Sequence, residues 1–171
     1  GLGWHDAPSI DLPDADIWSP PAMWFEPAAM AELQQLGRRT WMMPGAPPYS
    51  GSLAIEAPAT DARSLAWMAY RYGIQAFWLE DAARLPGYQQ QTYALRPWSN
   101  ASLLYAGTDF GLPDRPCPSI RLKRLRRGLQ DFELLRLLEE NGKRVLAHTL
   151  AGQVVNWAAT DACQENLLSC K

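Results

Sequence analysis

The stretch from Thr60 to Leu79, TDARSLAWMAYRYGIQAFWL, decides the fold because it joins a helix to a strand through one glycine. Its first half carries apolar residues at helical spacing, and Thr60 or Asp61 is placed to cap that helix. Gly73 supplies the left-handed conformation at which helices commonly end. The mostly apolar run that follows, residues 74–79, is typical of a parallel strand covered on both faces. We therefore predict a helix followed directly by a buried strand.

A strand, a helix and a second strand precede this segment. A short strand is predicted over Ala15–Ser19, and the next helix begins at Glu26-Pro27, where the missing N–H of proline is harmless, and ends at Gly37. A second strand, Arg39–Met43, follows at once. Short strands that alternate with helices predict an α/β fold with a parallel sheet and right-handed crossovers. Three such units cannot close an eight-stranded barrel, so the sheet is either open or the last part of a larger barrel.

The last third of the chain is predicted to be helical. Ser119 caps a long helix over about 120–141, which ends at Asn141-Gly142. Its apolar stripe repeats at steps of three and four residues and comprises Leu122, Leu125, Leu129, Phe132, Leu135 and Leu138. A second helix is expected over 143–159, with Val145, Leu146, Leu150 and Val154 as apolar positions. Asp161 with Gln164 resembles a capping box for a final helix.

The composition excludes several classes of protein. The chain has 171 residues, of which 47% are hydrophobic and 20% charged, as in ordinary globular domains and unlike disordered or collagen-like chains. The formal net charge of -2 gives no overall field that would attract nucleic acid or an anionic membrane. No run approaches the roughly 18 apolar residues of a membrane span, so we predict none. The eight tryptophans and fourteen prolines are unusual and favour large loops over a rigid scaffold.

The sequence offers little for a metal or a cofactor. Three cysteines, Cys117, Cys163 and Cys170, and two distant histidines match no zinc-binding spacing. There is no glycine-rich phosphate loop and no Gly-x-Ser-x-Gly nucleophile elbow. We therefore predict no metal site and no cofactor, and neither a nucleotide-binding site nor a catalytic triad.

The long helix begins with a basic cluster. Five of the seven residues 121–127 are cationic, namely Arg121, Lys123, Arg124, Arg126 and Arg127. This pattern fits a phosphate-binding face, but it also fits a solvated face with internal ion pairs, for which Asp131 lies four residues after Arg127. Because the chain as a whole is acidic, we predict no nucleic-acid partner.

The carboxyl ends of the strands carry the candidate binding residues. Ligands of parallel α/β folds collect at these ends. The candidates are aromatic and acidic side chains suited to a sugar, namely Trp41, Tyr49, Trp78, Glu80 and Asp81. The competing interpretation is that Trp41 and Trp78 fill the sheet interior, while Glu80-Asp81 belongs to a solvated turn.

Three segments together resemble a known family. They are Ala15–Trp18, Ala62–Trp67 leading into Tyr72-Gly73-Ile74, and Pro118–Leu122 continuing through Leu125–Leu135. The last is the most specific, since it contains the motif Arg126-x-Gly128-x-x-Asp131-Phe132-Glu133. The chain from about Asp16 onward resembles the glycoside hydrolase family 123-like catalytic domain, also described as domain of unknown function 4091.

The resemblance implies a fold and an activity. It implies the C-terminal portion of a (β/α)8 barrel, with residues 15–141 as the last three β/α units and 142–171 as closing helices. Family members remove β-linked N-acetylgalactosamine with the substrate's acetamido group as nucleophile. The assisting Asp-Glu pair would lie upstream, in a missing N-terminal half that becomes a partner of this chain beside the glycan substrate. Secretion or a periplasmic location would follow from the family alone.

The resemblance also assigns roles to residues, and this chain departs from it at one point. Trp41, Tyr49 and Trp78 would line the sugar pocket, whereas four motif residues would form structural ion pairs, namely Arg63, Arg121, Arg126 and Asp131. The chain has Ala76 where the family's last strand usually has glycine, and Glu80-Asp81 where it has a polar Asn region. Since both ends look cut, 1–171 is expected to be one domain or a fragment. The alternative is a non-catalytic carbohydrate-binding or scaffold domain on a barrel-derived fold.

Overall fold

A computed structural model describes residues 15–45, 51–54, 57–79, 82–83, 103–113 and 115–155. Three short strands form a parallel sheet in the order β1-β2-β3, with β1 at Ile17–Trp18, β2 at Arg39–Met42 and β3 at Ala76–Phe77. Two further strands pair in antiparallel fashion, β4 at Leu104–Tyr105 and β5 at Cys117–Pro118.

Four α-helices lie within the described residues. Their bounds are α1 Pro27–Gln35, α2 Asp61–Tyr72, α3 Ile120–Glu140 and α4 Arg144–Val154. The order β1-α1-β2-α2-β3 is the predicted alternation, and consecutive strands are neighbours in the sheet. None of the helices in these ranges has the length and apolar character that a membrane crossing requires.

The ends of the helices follow the sequence signals in most places. Ser119 Oγ accepts a hydrogen bond from the Leu122 N–H at 3.2 Å, which is the predicted cap of α3. Gly73 ends α2 with φ of 65°, a left-handed conformation that glycine adopts without a steric penalty. The prediction that a side chain caps α2 is wrong for Thr60, whose side chain makes no capping hydrogen bond.

The helices cover one face of the sheet. Thr40 and Met42 of β2 are both 0% exposed. The Gln34 side chain of α1 donates to Thr40 Oγ1 at 2.6 Å, so this face is the one that α1 approaches. Because side chains alternate along a strand, Trp41 between these two residues lies on the opposite face.

The main helix contact joins α2 and α3 at Gly128. A methyl group at position 128 would overlap the backbone carbonyl oxygen of Arg63 and touch Ala66. The two helices therefore approach more closely than any side chain at this position would permit. Toward the C-terminal end of α3, Asp131 and Leu135 are buried on the same face as Gly128.

This close approach corrects the predicted apolar stripe of α3. Leu129 was expected on the buried stripe, but it is 57% exposed, because Gly128 rather than Leu129 points at α2. The long strand predicted over 74–79 is also shorter, since only Ala76–Phe77 pair with β2 as a strand.

The predicted apolar positions of α4 are only partly confirmed, because Leu150 packs against the smaller core cluster and the other three do not. Val145 is 82% exposed, and Leu146 and Val154 are also exposed. The residues that face the core are Ala147 and Ala151, both fully buried beside Tyr70 and Leu135. Small side chains let α4 pack closely on α2 and α3, so its larger apolar residues turn outward. The helix ends at Val154, short of the predicted residue 159.

Candidate functional site

Trp41 lies in β2 on the sheet face away from α1. Its neighbours Thr40 and Met42 are buried on the helix-covered face, whereas Trp41 is only partly buried and belongs to neither of the two described core clusters. No acceptor is recorded for its indole N–H among the described residues. A partly covered indole with a free donor can stack on a ligand and hydrogen-bond to it.

Trp78 follows β3 and lies two residues beyond Ala76, the residue that pairs with Trp41, so it is on the same face of the sheet as Trp41. Its neighbours Phe77 and Leu79 pack against the main core, whereas Trp78 is 38% exposed and lies outside both core clusters. The backbone N–H of Trp78 donates to the Met42 carbonyl at 2.9 Å, which fixes it beside the end of β2. The structure thus places both candidate tryptophans at the carboxyl ends of adjacent strands, outside the core.

Two other tryptophans, Trp18 and Trp67, make the contacts of residues that stabilise the fold. Trp18 of β1 is buried in the main core. Trp67 of α2 packs against both core clusters, and its Nε1 donates to Asp131 Oδ2 at 3.0 Å. Among the described residues, neither Trp41 nor Trp78 packs into a core cluster or has a recorded acceptor for its indole N–H.

The remaining predicted site residues, Tyr49, Glu80 and Asp81, lie outside the described residues. The final helix predicted from Asp161 does so as well.

Sequence reasoning missed Ser19, which stands beside Trp41. The pairing of Arg39–Met43 continues past β1, since the Met43 N–H donates to the Pro20 carbonyl at 3.0 Å and Pro21 bridges Met43. This register aligns Ser19 with Trp41. Ser19 is 8% exposed, and its buried Oγ has no hydrogen-bond partner. A buried unpaired hydroxyl is costly, so its place next to Trp41 marks it as a candidate ligand contact.

Two signals about Ser19 were present in the sequence. It is the last residue of the predicted strand, and strand ends carry ligand contacts in this class of fold. Its burial and its missing partner depend on tertiary packing and had no such signal.

The buried carboxylate of α3 serves the helix contact rather than a cleft. Arg63 donates to Asp131 through Nε at 2.5 Å and through Nη2 at 3.0 Å, which is a bidentate pair. These bonds from Arg63, aided by Trp67, hold the pKa of Asp131 below its ordinary value, although burial opposes them. The same bond raises the pKa of Arg63.

The other basic motif residues have different surroundings. Arg121 is buried and donates to the Leu53 carbonyl at 3.0 Å and to Tyr105 Oη. Arg126 is exposed, and no ion pair is recorded for it among the described residues. Arg127 donates to Gln130 at 3.2 Å, and the salt bridge of Asp131 is made by Arg63. The charge of Arg127 also helps to lower the pKa of Asp131.

The remaining candidate chemistry is sparse. Within the described ranges, no group of three or more His, Cys, Asp or Glu side chains could hold a metal ion. The Asp61 carboxyl accepts the backbone N–H of Ser52, and burial raises the pKa of Asp61. A comparison with models of known protein families found no match, and a comparison with curated proteins found none either.

Proposed function

We propose that this chain is a carbohydrate-binding part of a (β/α)8 protein that resembles family 123-like glycoside hydrolases. In this proposal Trp41 and Trp78 stack on the sugar, and Ser19 hydrogen-bonds to it. The observation that carries the proposal is the position of two tryptophans at neighbouring strand ends, on the side of the sheet away from α1 and outside both core clusters.

The strand order supports the barrel part of the proposal. A sheet in the order β1-β2-β3 with crossover helices between consecutive strands is wound in one direction only, as in a barrel. An open doubly wound sheet reverses its order at a switch point, and the three described parallel strands contain no reversal. The parallel sheet pairs β3 with β2 alone, which leaves the other edge of β3 for a further strand.

Hydrolysis is assigned to the upstream half of the proposed barrel. Among the described residues, the buried carboxylate of Asp131 is held by Arg63 and Trp67, and the partly buried one of Asp61 accepts the Ser52 N–H. This arrangement favours a contribution to substrate binding, with the acid pair on another part of the protein. It equally fits the alternative, a non-catalytic carbohydrate-binding domain.

Sugar binding is tested by tryptophan fluorescence with a β-N-acetylgalactosaminide as the probe. We expect a saturable change in emission with the unmodified chain. Trp78→Ala should weaken binding by about tenfold, since an aromatic contact contributes roughly 0.5–1.5 kcal/mol beyond its buried area. Ser19→Ala should weaken it by a smaller factor.

Trp24→Phe is the control for the loss of an indole. Trp24 lies in the short 3-10 helix Ala22–Trp24 after β1 and is not one of the proposed sugar contacts. The proposal fails if the unmodified chain shows no saturable response, or if Trp24→Phe abolishes it as fully as Trp78→Ala. Hydrolysis of the same glycoside by this chain joined to its upstream half would favour the hydrolase. Binding without turnover in that joined protein would favour the non-catalytic domain.

A further inference from the structure

A cavity of about 280 Å³ lies between the segment before α2, strand β4 and the start of α3. Most of its wall is formed by alanines and a proline of the segment before α2. Its polar lining comes from four residues, namely Ser52, Tyr105, Ser119 and Arg121. Neither Trp41 nor Trp78 contributes to it.

The cavity lies at the end of the molecule where α2 and α3 begin. The two helices run in the same direction, since Arg63 bonds to Asp131 and, further along both, Tyr70 Oη bonds to Glu139 at 3.0 Å. Residues from both first turns, Ala62 and Ile120, line the cavity. The crossover helix α2 starts at the carboxyl ends of the parallel strands, which is where ligands of such folds bind.

Arg121 fixes the polar side of the cavity. The residue is 9% exposed, and its Nη1 donates to the Leu53 carbonyl at 3.0 Å. Its Nη2 donates to Tyr105 Oη at 2.5 Å. Because Tyr105 Oη accepts this bond, its own hydrogen remains available to an acceptor in the cavity.

The hydroxyl groups of Ser52 and Ser119, like that of Tyr105, each accept one hydrogen bond. Ser52 Oγ accepts the Ala54 N–H at 3.1 Å, and Ser119 Oγ accepts the Leu122 N–H at 3.2 Å. Both residues are buried, and no acceptor is recorded for either hydroxyl hydrogen. The nearby Asp61 is not part of the lining, since its carboxyl accepts the Ser52 backbone N–H. Among the described residues that line the cavity, the polar groups present donors and none is a carboxylate.

We infer that this cavity binds a small oxyanion, the carboxylate or phosphate group of a ligand. A neutral sugar hydroxyl can also pair with these hydroxyl groups, but it carries no charge, so its bonds are weaker. An oxyanion accepts from several donors at once, and such charge-assisted bonds are the stronger ones. The N-terminal end of α3, whose residues Ile120 and Arg121 line the cavity, adds a partial positive charge. This site is separate from the proposed sugar site and does not depend on it.

Titration calorimetry on the full chain tests the inference, with inorganic phosphate and glucuronate as probes and glucose as the neutral comparison. We expect saturable binding of phosphate, glucuronate or both, and none of glucose. Binding of phosphate alone would identify a phosphate-type ligand, and binding of glucuronate alone a carboxylate. Absence of saturable binding for both anions overturns the inference, and so does equal binding of glucose.

Variants locate the binding within the molecule. Tyr105→Phe and Ser52→Ala each remove one donor and should each weaken anion binding by about tenfold or more. Arg126→Gln removes an exposed cation from the same helix and serves as the matched control, with affinity unchanged within twofold. Trp78→Ala should leave phosphate binding intact, which separates this site from the sugar site. If Arg126→Gln weakens binding as much as Tyr105→Phe does, the anion binds to the surface field and the inference is wrong.

Discussion

At the scale of single residues, Asp131 is a buried carboxylate whose recorded hydrogen bonds all join α3 to α2. It accepts two bonds from Arg63 and one from Trp67, and it is buried where α2 meets α3. Removing the carboxylate charge leaves the guanidinium of Arg63 with a weaker acceptor. Because the Arg63 side chain is 40% exposed, water compensates part of that loss.

We expect Asp131→Asn to lower the free energy of unfolding by about 1–2 kcal/mol at pH 7. The pKa of Asp131 is lowered in the folded state, so its contribution is fully present above the ordinary aspartate value. That contribution is lost as the pH falls from about 4 through the lowered pKa. Urea unfolding of both proteins at several pH values should therefore show a difference that shrinks in acid.

Glu133→Gln is the matched control on the same helix. Glu133 is exposed and lies 3.7 Å from Arg136, so its loss should change the stability by less than about 0.5 kcal/mol. An equal loss in both variants, or a difference for Asp131→Asn that does not depend on pH, would contradict the assigned role of Asp131.

At the scale of elements, the contact between α2 and α3 depends on Gly128. Gly128→Ala should lower the free energy of unfolding by about 1–3 kcal/mol, because the added methyl group overlaps the Arg63 carbonyl and pushes the helices apart. Gly152→Ala in α4 is the comparison, since a methyl group there meets no atom within 4 Å. It should stabilise the protein by about 0.5–1 kcal/mol through helix propensity alone. Thermal unfolding of both variants checks this, and a shift of the same sign in both would contradict the proposed close approach.

At the scale of the whole molecule, stability is expected to be greatest in the layer formed by α2 and α3. Helix α2 contributes buried residues to both core clusters, whereas α1 buries only Met30 and Leu33. Local opening is easiest where few apolar contacts must be broken. Hydrogen exchange should therefore be slowest in residues 65–69 and 128–135 and faster in α1. Equal protection of α1 would show that the sheet and helices open only as one unit.

The sequence by itself determined the order β1-α1-β2-α2-β3-α3-α4, whereas the strand pair β4–β5 was not predicted. Helical spacing, the prolines and glycines at helix ends, and the Ser119 cap are local signals, and the structure follows them to within a few residues. The prediction of strand ends as the location of Trp41 and Trp78 also came from local pattern. Local pattern was insufficient for the apolar positions of α3 and α4, where Leu129 and Val145 are exposed.

Only the tertiary structure decided which faces are buried and which polar groups meet. Leu129 turns outward because Gly128 lets the backbone of α2 come close to α3. Val145 turns outward because the small side chains of Ala147 and Ala151 face the core and let α4 pack closely on it. The unpaired hydroxyl of Ser19 and the donor-lined cavity at Arg121 each combine residues from separate segments. Periodicity reports what one element prefers, whereas the distance between elements depends on the side chains of both, and that distance fixes these contacts.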